Sequence, residues 1–374
     1  MPAPLRVALD ATSLYDTRSG VGRFTEEVLH GVGVDNSIDA IAYAVTFRGA
    51  GHLADLLPPG VRPARRRRMA ALPLRQAWAR SDHPSIERWT GAIDVVHGTN
   101  FVVPPTRAAA VVTIHDLTYV HFPQMCTADV LQYPELVRRA LHRGAVVHTV
   151  SEFVRDEVID HYHLPADRVV AVPNGITATA PGDPASGSRL AGGDRYLIAV
   201  GTVEPRKDYP GLVQAFDQMA ATDADLRLVI AGSDGWGADA LTAAIDAAHH
   251  KTRIVRLGWI DDPARADLLA GAEALVLASR YEGFGLTAGE AMAAGVPVVA
   301  TAVGAIPEVV GDAAVLVPVA DVDALAEALS LLVADDIRRS QLIEAGRERS
   351  AMFTWSRTVE GLVALWRSVV DAAR

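Results

Sequence analysis

The stretch YEGFGLTAGEAMAAGVPVV, from Tyr281 to Val299, sets two glutamates around a glycine-rich segment that leads into a helix. A loop of this kind directs backbone N–H groups and the positive end of a helix dipole at one point, which suits a phosphate. Carboxylates beside that point suit sugar hydroxyls, so Glu282 and Glu290 predict a nucleotide-sugar site. A structural alternative stays open, because Thr287 and Glu290 also spell a capping box at the helix start.

On both sides of this stretch, short β-branched runs alternate with helical patterns. The first half contains RVALD, AVVTIHD, VVHTV and VVAVP, and the second half contains YLIAVG, LRLVIAG, RIVRLG, ALVLAS, VPVVATA and AVLVP. Apolar strands between amphipathic helices predict parallel sheets covered on both faces. Proline and glycine crowd together between Asn174 and Asp194, which predicts a linker. We therefore expect an α/β protein of two doubly wound, Rossmann-like domains with a cleft between them.

The composition agrees with a compact globular protein of two domains. The chain has 374 residues, of which 50% are hydrophobic and 21% charged, and this length exceeds the usual range of one domain. The single cysteine, Cys126, excludes an internal disulfide framework. No apolar run approaches the ~18 residues of a membrane span, and the first strand contains Asp10 where a signal peptide would be uninterrupted. The expected location is the cytoplasm.

A basic segment between Arg62 and Arg80 is the main charged feature of the first half. It contains Arg62, Arg65, Arg66, Arg67, Arg68, Arg75 and Arg80, together with Leu72, Leu74, Ala77 and Trp78. Such a segment can lie peripherally on an anionic membrane, here the inner face, although a solvated loop is the commoner meaning of a charge run. Nucleic acid is not an expected partner, because the net charge is −10 and interleaved aromatic residues are lacking.

The chemically unusual residues follow strands. Gly20 and Gly22 come after RVALD, His115 and Asp116 end AVVTIHD, Arg206 and Lys207 follow YLIAVG, and Glu282 follows ALVLAS. Ligands of open α/β sheets bind outside the carboxyl ends of the strands, so this shared placement favours function over packing.

Arg206 and Lys207 predict stabilisation of a leaving group. Two cations just before a helix, for which Asp208 is the expected cap, can neutralise a departing diphosphate. Only two lysines occur in the chain, Lys207 and Lys251. A dinucleotide fingerprint is excluded because Thr25 stands where the third glycine is required. The histidines and carboxylates show no convincing metal-ligand spacing, so no metal site is expected.

Taken together, the motifs resemble those of the family 4 retaining glycosyltransferases, which have the two-domain GT-B architecture. The resemblance covers nearly the whole chain and rests on the order of SGVGRF, TIHDLTYVHFP, SEFVRDEV, VPNGI, VGTVEPRKDYPGL, the glutamate stretch and VGAIPEVVGDAAVLVPVAD. It implies an acceptor-binding domain over residues 1–178, a linker at 179–194, a donor-binding domain over 195–354, and a C-terminal helix at 355–374 that returns to the first domain. The chain departs from the family pattern at Thr287 and Gly289, where proline and leucine are usual.

The resemblance also implies a role for each site residue. Glu282 would bind the donor sugar and Glu290 the ribose, while Arg206 and Lys207 would neutralise the diphosphate and His115 would touch the sugar near its anomeric carbon. The remaining donor-binding residues implied are Gly20, Gly22, Asp116, Phe284, Gly285, Leu286 and Thr287. No cofactor is implied beyond the nucleotide-sugar donor, and no metal.

The expected reaction is transfer of a hexose to an acceptor hydroxyl, on a glycan or a lipid-linked saccharide, with retention of configuration. GDP-mannose is the first expectation for the donor and a UDP-sugar the second. A front-face reaction needs only cations and dipoles around the leaving group. Three alternatives remain open: a pyridoxal phosphate-dependent phosphorylase, which needs a Schiff-base lysine, a sugar-nucleotide 2-epimerase, and a non-catalytic sugar-nucleotide-binding protein.

Overall fold

A computed structural model describes residues 3–15, 19–47, 51–65, 68–178 and 180–373. The chain divides into two compact units. The first contains Met1–Gly175 and Thr354–Arg374, and the second contains Ile176–Phe353. Each unit is built around its own parallel sheet, as the alternation of apolar runs and helical patterns predicts.

The first unit has a seven-stranded sheet in the order β3-β2-β1-β4-β5-β6-β7. Its strands are β1 (Leu5–Asp10), β2 (Ile38–Tyr43), β3 (Arg62–Pro63), β4 (Val95–Gly98), β5 (Ala109–Ile114), β6 (Val146–Thr149) and β7 (Val169–Ala171). Its helices from the first part of the chain are α1 (Gly20–Val34), α2 (Leu53–Leu56), α3 (Ala71–Arg80), α4 (Glu87–Thr90), α5 (Thr118–His121), α6 (Tyr133–His142) and α7 (Glu152–Tyr162). All neighbouring strands pair in parallel, which places their carboxyl ends at one edge.

The second unit has a six-stranded sheet in the order β10-β9-β8-β11-β12-β13. Its strands are β8 (Tyr196–Val200), β9 (Arg227–Ala231), β10 (Ile254–Gly258), β11 (Ala274–Leu277), β12 (Val298–Thr301) and β13 (Val315–Val317). Its helices are α8 (Pro184–Ala191), α9 (Tyr209–Met219), α10 (Ala238–Ala247), α11 (Asp262–Gly271), α12 (Leu286–Ala294), α13 (Ile306–Val310), α14 (Val322–Ala334) and α15 (Asp336–Ser350). The central strands are buried on both faces because helices cover each side of the sheet.

The C-terminal helix α16 (Trp355–Ala372) belongs to the first unit. Thr354 caps its first turn, and its apolar stripe is buried with β1 and α1. Leu362 and Trp366 are fully buried in this cluster. The predicted return of the last helix to the first domain is therefore present in the structure.

The linker predicted for residues 179–194 is wrong as a description of local structure. Residues 184–191 form helix α8, Asp183 caps it, and the segment belongs to the second unit. Its glycines permit close packing rather than flexibility. A Cβ at Gly182 would lie 2.1 Å from the carbonyl oxygen of Ala266, and one at Gly187 would lie 2.3 Å from that of Asp267, so α8 can lie directly on α11.

Apolar residues of the basic segment pack into the core of the first unit. Trp78 and Leu74 are buried, and Arg62 pairs with Asp39 at 2.7 Å. Two of its arginines, Arg66 and Arg67, lie outside the described residues. Only Leu72 among its large apolar residues is exposed, so helix α3 turns its apolar side inward instead of presenting it to a membrane. Among the described helices, none is long and apolar enough to cross a membrane.

Candidate functional site

Glu282 is the centre of a buried charged cluster in the second unit. It follows β11 and is 6% exposed. One carboxylate oxygen accepts hydrogen bonds from the Lys207 ammonium at 2.6 Å and from the Ser279 hydroxyl at 2.7 Å, and the other accepts one from Arg206 at 3.1 Å. Burial opposes ionisation, but Lys207 and Arg206 outweigh it and lower the pKa of Glu282 to about 2. The carboxylate is therefore charged at every physiological pH.

Arg206 and Lys207 reach this cluster from a short 3₁₀ turn, Pro205–Lys207, beyond the carboxyl end of β8. The next residue, Asp208, has left-handed backbone dihedral angles and its side chain accepts from the backbone N–H of Gly211, which confirms the predicted cap of α9. Arg280, directly after Ser279, donates to the other oxygen of Asp208 at 3.0 Å. The backbone N–H of Arg280 also donates to the Arg206 carbonyl at 2.7 Å, so the loops that carry the cations and Glu282 are held together by backbone and side-chain bonds.

Helix α12 begins in a different way from the predicted capping box. The residue before its first turn is Gly285, which has a φ of 99° and no side chain that could cap the helix. Thr287 is therefore already the second residue of the helix. Glu290 instead accepts a hydrogen bond from Arg265 of α11 at 2.7 Å. The capping-box alternative is wrong, because Gly285 starts the helix two residues earlier than Thr287 would.

The glycine-rich segment leaves the N–H groups of Leu286 and Thr287 without partners inside the helix, whereas that of Ala288 donates to the Gly285 carbonyl at 3.0 Å. Leu286 and Thr287 open the helix, and Phe284 and Gly285 lie just before it. All four are among the residues predicted to bind the donor. Phe284 is itself buried, edge-on to Phe353 with ring centroids 5.7 Å apart. Gly289, the second departure from the family pattern, is explained by packing, since a Cβ there would lie 2.4 Å from the end of the Ile176 side chain.

Gly304 supports the backbone of Glu282 from the following loop. It has a φ of +58°, and a Cβ there would lie 2.1 Å from the Glu282 carbonyl oxygen. That same oxygen accepts the N–H of Ala305 at 3.0 Å. The position therefore requires glycine both for its conformation and for its contact.

Gly304→Ala should lower the free energy of unfolding by about 2–4 kcal/mol, from the left-handed backbone and the steric overlap together. Gly258→Ala is a matched control, because Gly258 has a φ of +69° and a Cβ added there would meet no atom within 4 Å. It should cost only the ~1 kcal/mol of the backbone term. Urea unfolding of the two variants measures the difference, and equal losses would show that the Glu282 contact is unimportant.

The first unit holds the remaining predicted residues. Gly20 and Gly22 lie in the first turn of α1 rather than in a loop before it, and the N–H of Gly22 donates to the Ser19 hydroxyl at 3.1 Å. This amide is already satisfied by the helix cap. Asp116 also has a partner within the first unit, because its carboxylate accepts a hydrogen bond from the N–H of Thr118 at 3.0 Å.

His115 directly follows β5 and is half-buried. Its Nε2 lies 2.8 Å from the carbonyl oxygen of Thr99. A carbonyl only accepts, so Nε2 carries the proton and Nδ1 is the acceptor nitrogen. The ring stands edge-on to Phe24, with centroids 5.2 Å apart, and to Phe101, at 6.1 Å. Burial lowers the pKa of His115, partly offset by the Thr99 bond, and the imidazole is neutral.

Two further histidines of the first unit, His97 and His148, are fully buried on strands β4 and β6. Burial lowers the pKa of both, that of His148 from 6.5 to about 3. A histidine that stays neutral when folded but takes up a proton when unfolded contributes full stability above pH 6.5. That stability decreases as the pH falls from 6.5 toward 3.

We therefore expect His148 alone to reduce the free energy of unfolding by about 2 kcal/mol between pH 6.5 and pH 5. Urea titrations at both pH values, followed by the fluorescence of buried Trp78 and Trp366, measure this change. His148→Asn should show a shallower pH dependence than the wild type, and the exposed His30→Gln should not. Equal slopes in all three proteins would contradict the assignment.

The structure thus brings Arg206, Lys207 and Glu282 into direct contact, whereas Glu290 pairs separately with Arg265. Three supporting residues, Ser279, Arg265 and Glu204, were not among the predicted site residues, and Glu204 accepts a hydrogen bond from Arg206 at 2.9 Å. Ser279 ends the ALVLAS run three residues before Glu282, which is a usable signal. Arg265 lies 25 residues before its partner on another helix, and no local pattern indicates it.

Family models match both halves of the chain. "Glycosyltransferase Family 4" matches residues 33–179, and "Glycosyl transferases group 1" matches residues 186–349. The O-antigen chain mannosyltransferase B of Escherichia coli is 33% identical over 292 residues, which cover 76% of this chain and 74% of that protein. The chain belongs to glycosyltransferase family 4. The family predicted from the motifs is confirmed, and this glycosyltransferase is a hexosyltransferase.

Other relatives of the glycosyltransferase differ in their named substrates. The D-inositol 3-phosphate glycosyltransferase of Geodermatophilus obscurus is 31% identical, covering 69% of this chain and 61% of its own length. The MMP alpha-(1->4)-mannosyltransferase of Mycolicibacterium hassiacum is 30% identical, covering 64% and 57%. The chain thus spans about three fifths of these two proteins.

Solved structures confirm the predicted GT-B fold of the glycosyltransferase. Sucrose-phosphate synthase from Thermosynechococcus elongatus superposes with a TM-score of 0.80 at 20% identity, over 98% of this chain and 100% of that one. Anabaena HepE, solved with UDP and glucose, superposes with a TM-score of 0.73 at 16% identity, over 97% and 100%. At these identities the likeness concerns the fold.

Proposed function

We propose that this glycosyltransferase moves mannose from GDP-mannose to a hydroxyl of a glycan or lipid-linked saccharide, with retention of configuration and without a metal. The observation that carries the chemistry is the cluster of Lys207, Arg206 and Glu282 beside the glycine-rich start of α12. The mannose donor is supported by two relatives whose names are those of mannosyltransferases.

In this proposal Lys207 and Arg206 neutralise the diphosphate as it leaves. The bond between the anomeric carbon and the phosphate oxygen breaks, and negative charge develops on that oxygen. Fixed cations in a largely water-excluded site stabilise such charge without reorganisation. Lys207 is 13% exposed and Arg206 22% exposed at their side chains, so both are screened from bulk water. The amides at the start of α12 add partial positive charge.

Glu282 acts as a hydrogen-bond acceptor for donor sugar hydroxyls. A retaining glycosidase uses a carboxylate as nucleophile, but Glu282 is a poor one because its two oxygens already accept three bonds, two of them from cations. This favours a front-face reaction. The acceptor oxygen forms the new bond on the face from which the diphosphate leaves, and its proton passes to the leaving phosphate oxygen. Glu290 binds the ribose, and His115 of the first unit contacts the sugar.

A thermal-shift comparison tests the donor. GDP-mannose at 100 times its dissociation constant should stabilise the protein by about 2.7 kcal/mol and raise the Tm, and UDP-glucose and ADP-glucose should not. A shift with the UDP-sugar alone would replace GDP-mannose by the second donor class. No shift with any nucleotide sugar would contradict the site, and binding without turnover would favour a non-catalytic protein.

Metal removal tests the leaving-group assignment. Because two side-chain cations supply the positive charge, EDTA at millimolar concentration should leave the initial transfer rate unchanged. Loss of activity in EDTA, with recovery on adding Mg²⁺ or Mn²⁺, would show that Arg206 and Lys207 are insufficient.

A further inference from the structure

Four buried side chains of the first unit form a continuous hydrogen-bonded relay, made of Trp366, His97, Thr113 and His148. The indole nitrogen of Trp366 lies 3.3 Å from Nδ1 of His97, and Nε2 of His97 lies 2.7 Å from the Thr113 hydroxyl. That hydroxyl lies 2.9 Å from Nδ1 of His148, whose Nε2 lies 3.0 Å from the carbonyl oxygen of Val172. The relay thus joins α16 to three adjacent strands and to the residue after β7.

The two ends of the relay fix its direction. An indole N–H can only donate, and a backbone carbonyl can only accept. His97 must therefore accept at Nδ1 and donate from Nε2, Thr113 must donate to Nδ1 of His148, and His148 must donate from Nε2. Each histidine is neutral with its proton on Nε2, and every polar atom of the relay is satisfied.

Phe24 connects the relay to His115. Its ring is stacked on His148, with centroids 5.6 Å apart and planes 18° from parallel, and it meets His115 edge-on at 5.2 Å. Trp355, at the start of α16, approaches the same ring at 6.5 Å. Phe24 is fully buried, so these rings and the surrounding apolar core hold it in place.

We infer that the relay is a positioning device for His115, and that Trp366 of the C-terminal helix is a positioning residue acting through it. The inference rests on the proposed function, in which His115 contacts the donor sugar. Within the described residues the His115 side chain has one hydrogen bond, to Thr99. This bond fixes Nε2 but leaves the ring free to rotate about it. The aromatic edges of Phe24 and Phe101 set that rotation, and the relay holds Phe24.

The orientation of the His115 ring matters because the ring can assist sugar transfer only when it lies at the correct distance and angle to the donor sugar. A displacement of about 1 Å in a catalytic site can cost about 100-fold in rate. The C-terminal helix would thus affect sugar transfer through His115, without contacting substrate itself, by a network whose atoms are all buried.

Thr113→Val and Thr113→Ser are the matched test. Valine keeps the shape but removes the hydroxyl, which leaves one nitrogen of each buried histidine without its partner; serine keeps the hydroxyl. Thr113→Val should lower kcat at least 10-fold with the donor KM changed less than twofold, and Thr113→Ser should restore kcat to within about threefold of the wild type. Trp366→Phe, which removes one N–H and keeps an aromatic ring, is the second variant if the valine protein does not fold.

The imidazole of His115 gives a readout independent of turnover. In protein with ¹⁵N-labelled histidine, assigned with His115→Gln, the ring signals of His115 should shift in Thr113→Val and Trp366→Phe but not in Thr113→Ser. Unchanged His115 signals in folded valine and phenylalanine variants would overturn the inference and leave the relay a packing feature. If the wild type turns over no donor while these signals shift, the proposed function fails and the positioning stands.

Discussion

Lys207→Ala should reduce the rate of sugar transfer by about 10³-fold, the loss expected when one fixed donor to a developing oxyanion is removed. Lys207 donates to Glu282 at 2.6 Å and is the only lysine at the site. The alanine variant would leave the diphosphate with Arg206 alone. Because the charge on the bound donor is smaller than that on the leaving group, the loss should fall mainly on kcat and less on KM.

Lys251→Ala is the natural control. Lys251 is the other lysine of the chain and is exposed, with only a 3.5 Å contact to the Asp246 carbonyl. Its removal changes the net charge by the same amount but should leave kcat within twofold. Steady-state GDP release from GDP-mannose measures both. Equal activity of the two variants would remove Lys207 from the mechanism.

Glu282→Gln should lower the free energy of unfolding by about 3 kcal/mol, the cost of leaving the buried Lys207 ammonium without its carboxylate. Lys207 depends on Glu282, whose side chain is 8% exposed, whereas Arg206 keeps a second carboxylate, that of Glu204 at 2.9 Å. The folded pKa of Glu282, about 2, lies below the ordinary 4.5. The ion pairing therefore stabilises the protein fully above pH 4.5 and is lost as the pH falls toward 2.

A double-mutant cycle separates the ion pair from other effects. Glu282→Gln combined with Lys207→Met should cost less than the sum of the single variants, by about 1–3 kcal/mol. Urea unfolding at pH 7 and at pH 3 supplies the values, and the penalty for Glu282→Gln should shrink at pH 3. Additive penalties that are independent of pH would contradict the charged cluster.

The fold could be predicted from the sequence because ten of its strands are apolar runs with helical patterns between them. The misses have physical reasons. Three strands were missed. β3 is only two residues long, β4 ends in a histidine and a glycine, and β2 is interrupted by Asp39, so none of them is a long apolar run. Residues 179–194 resemble a linker because glycine and proline are common in loops, but Gly182 and Gly187 serve close packing of α8 on α11.

The site was predictable where its residues stand at strand ends. Arg206, Lys207 and Glu282 follow β8 and β11, which are adjacent strands, so their meeting follows from topology. Contacts made across elements were not predictable. The pairing of Glu290 with Arg265 depends on how α11 packs against α12, and the relay depends on where α16 docks. The bonds of His97 and His148 likewise join strands whose order the sequence does not state.

Turnover of GDP-mannose without an acceptor, followed by proton NMR, tests the central claim most directly. Water then takes the place of the acceptor hydroxyl, and the configuration of the first-formed mannose is read before it equilibrates. We expect the wild type to release GDP and mannose with the anomeric configuration of the donor, and Lys207→Ala to release about 10³-fold less. First-formed mannose of the opposite configuration, or no turnover of GDP-, UDP- or ADP-sugars, would contradict a retaining glycosyltransferase built on this cluster.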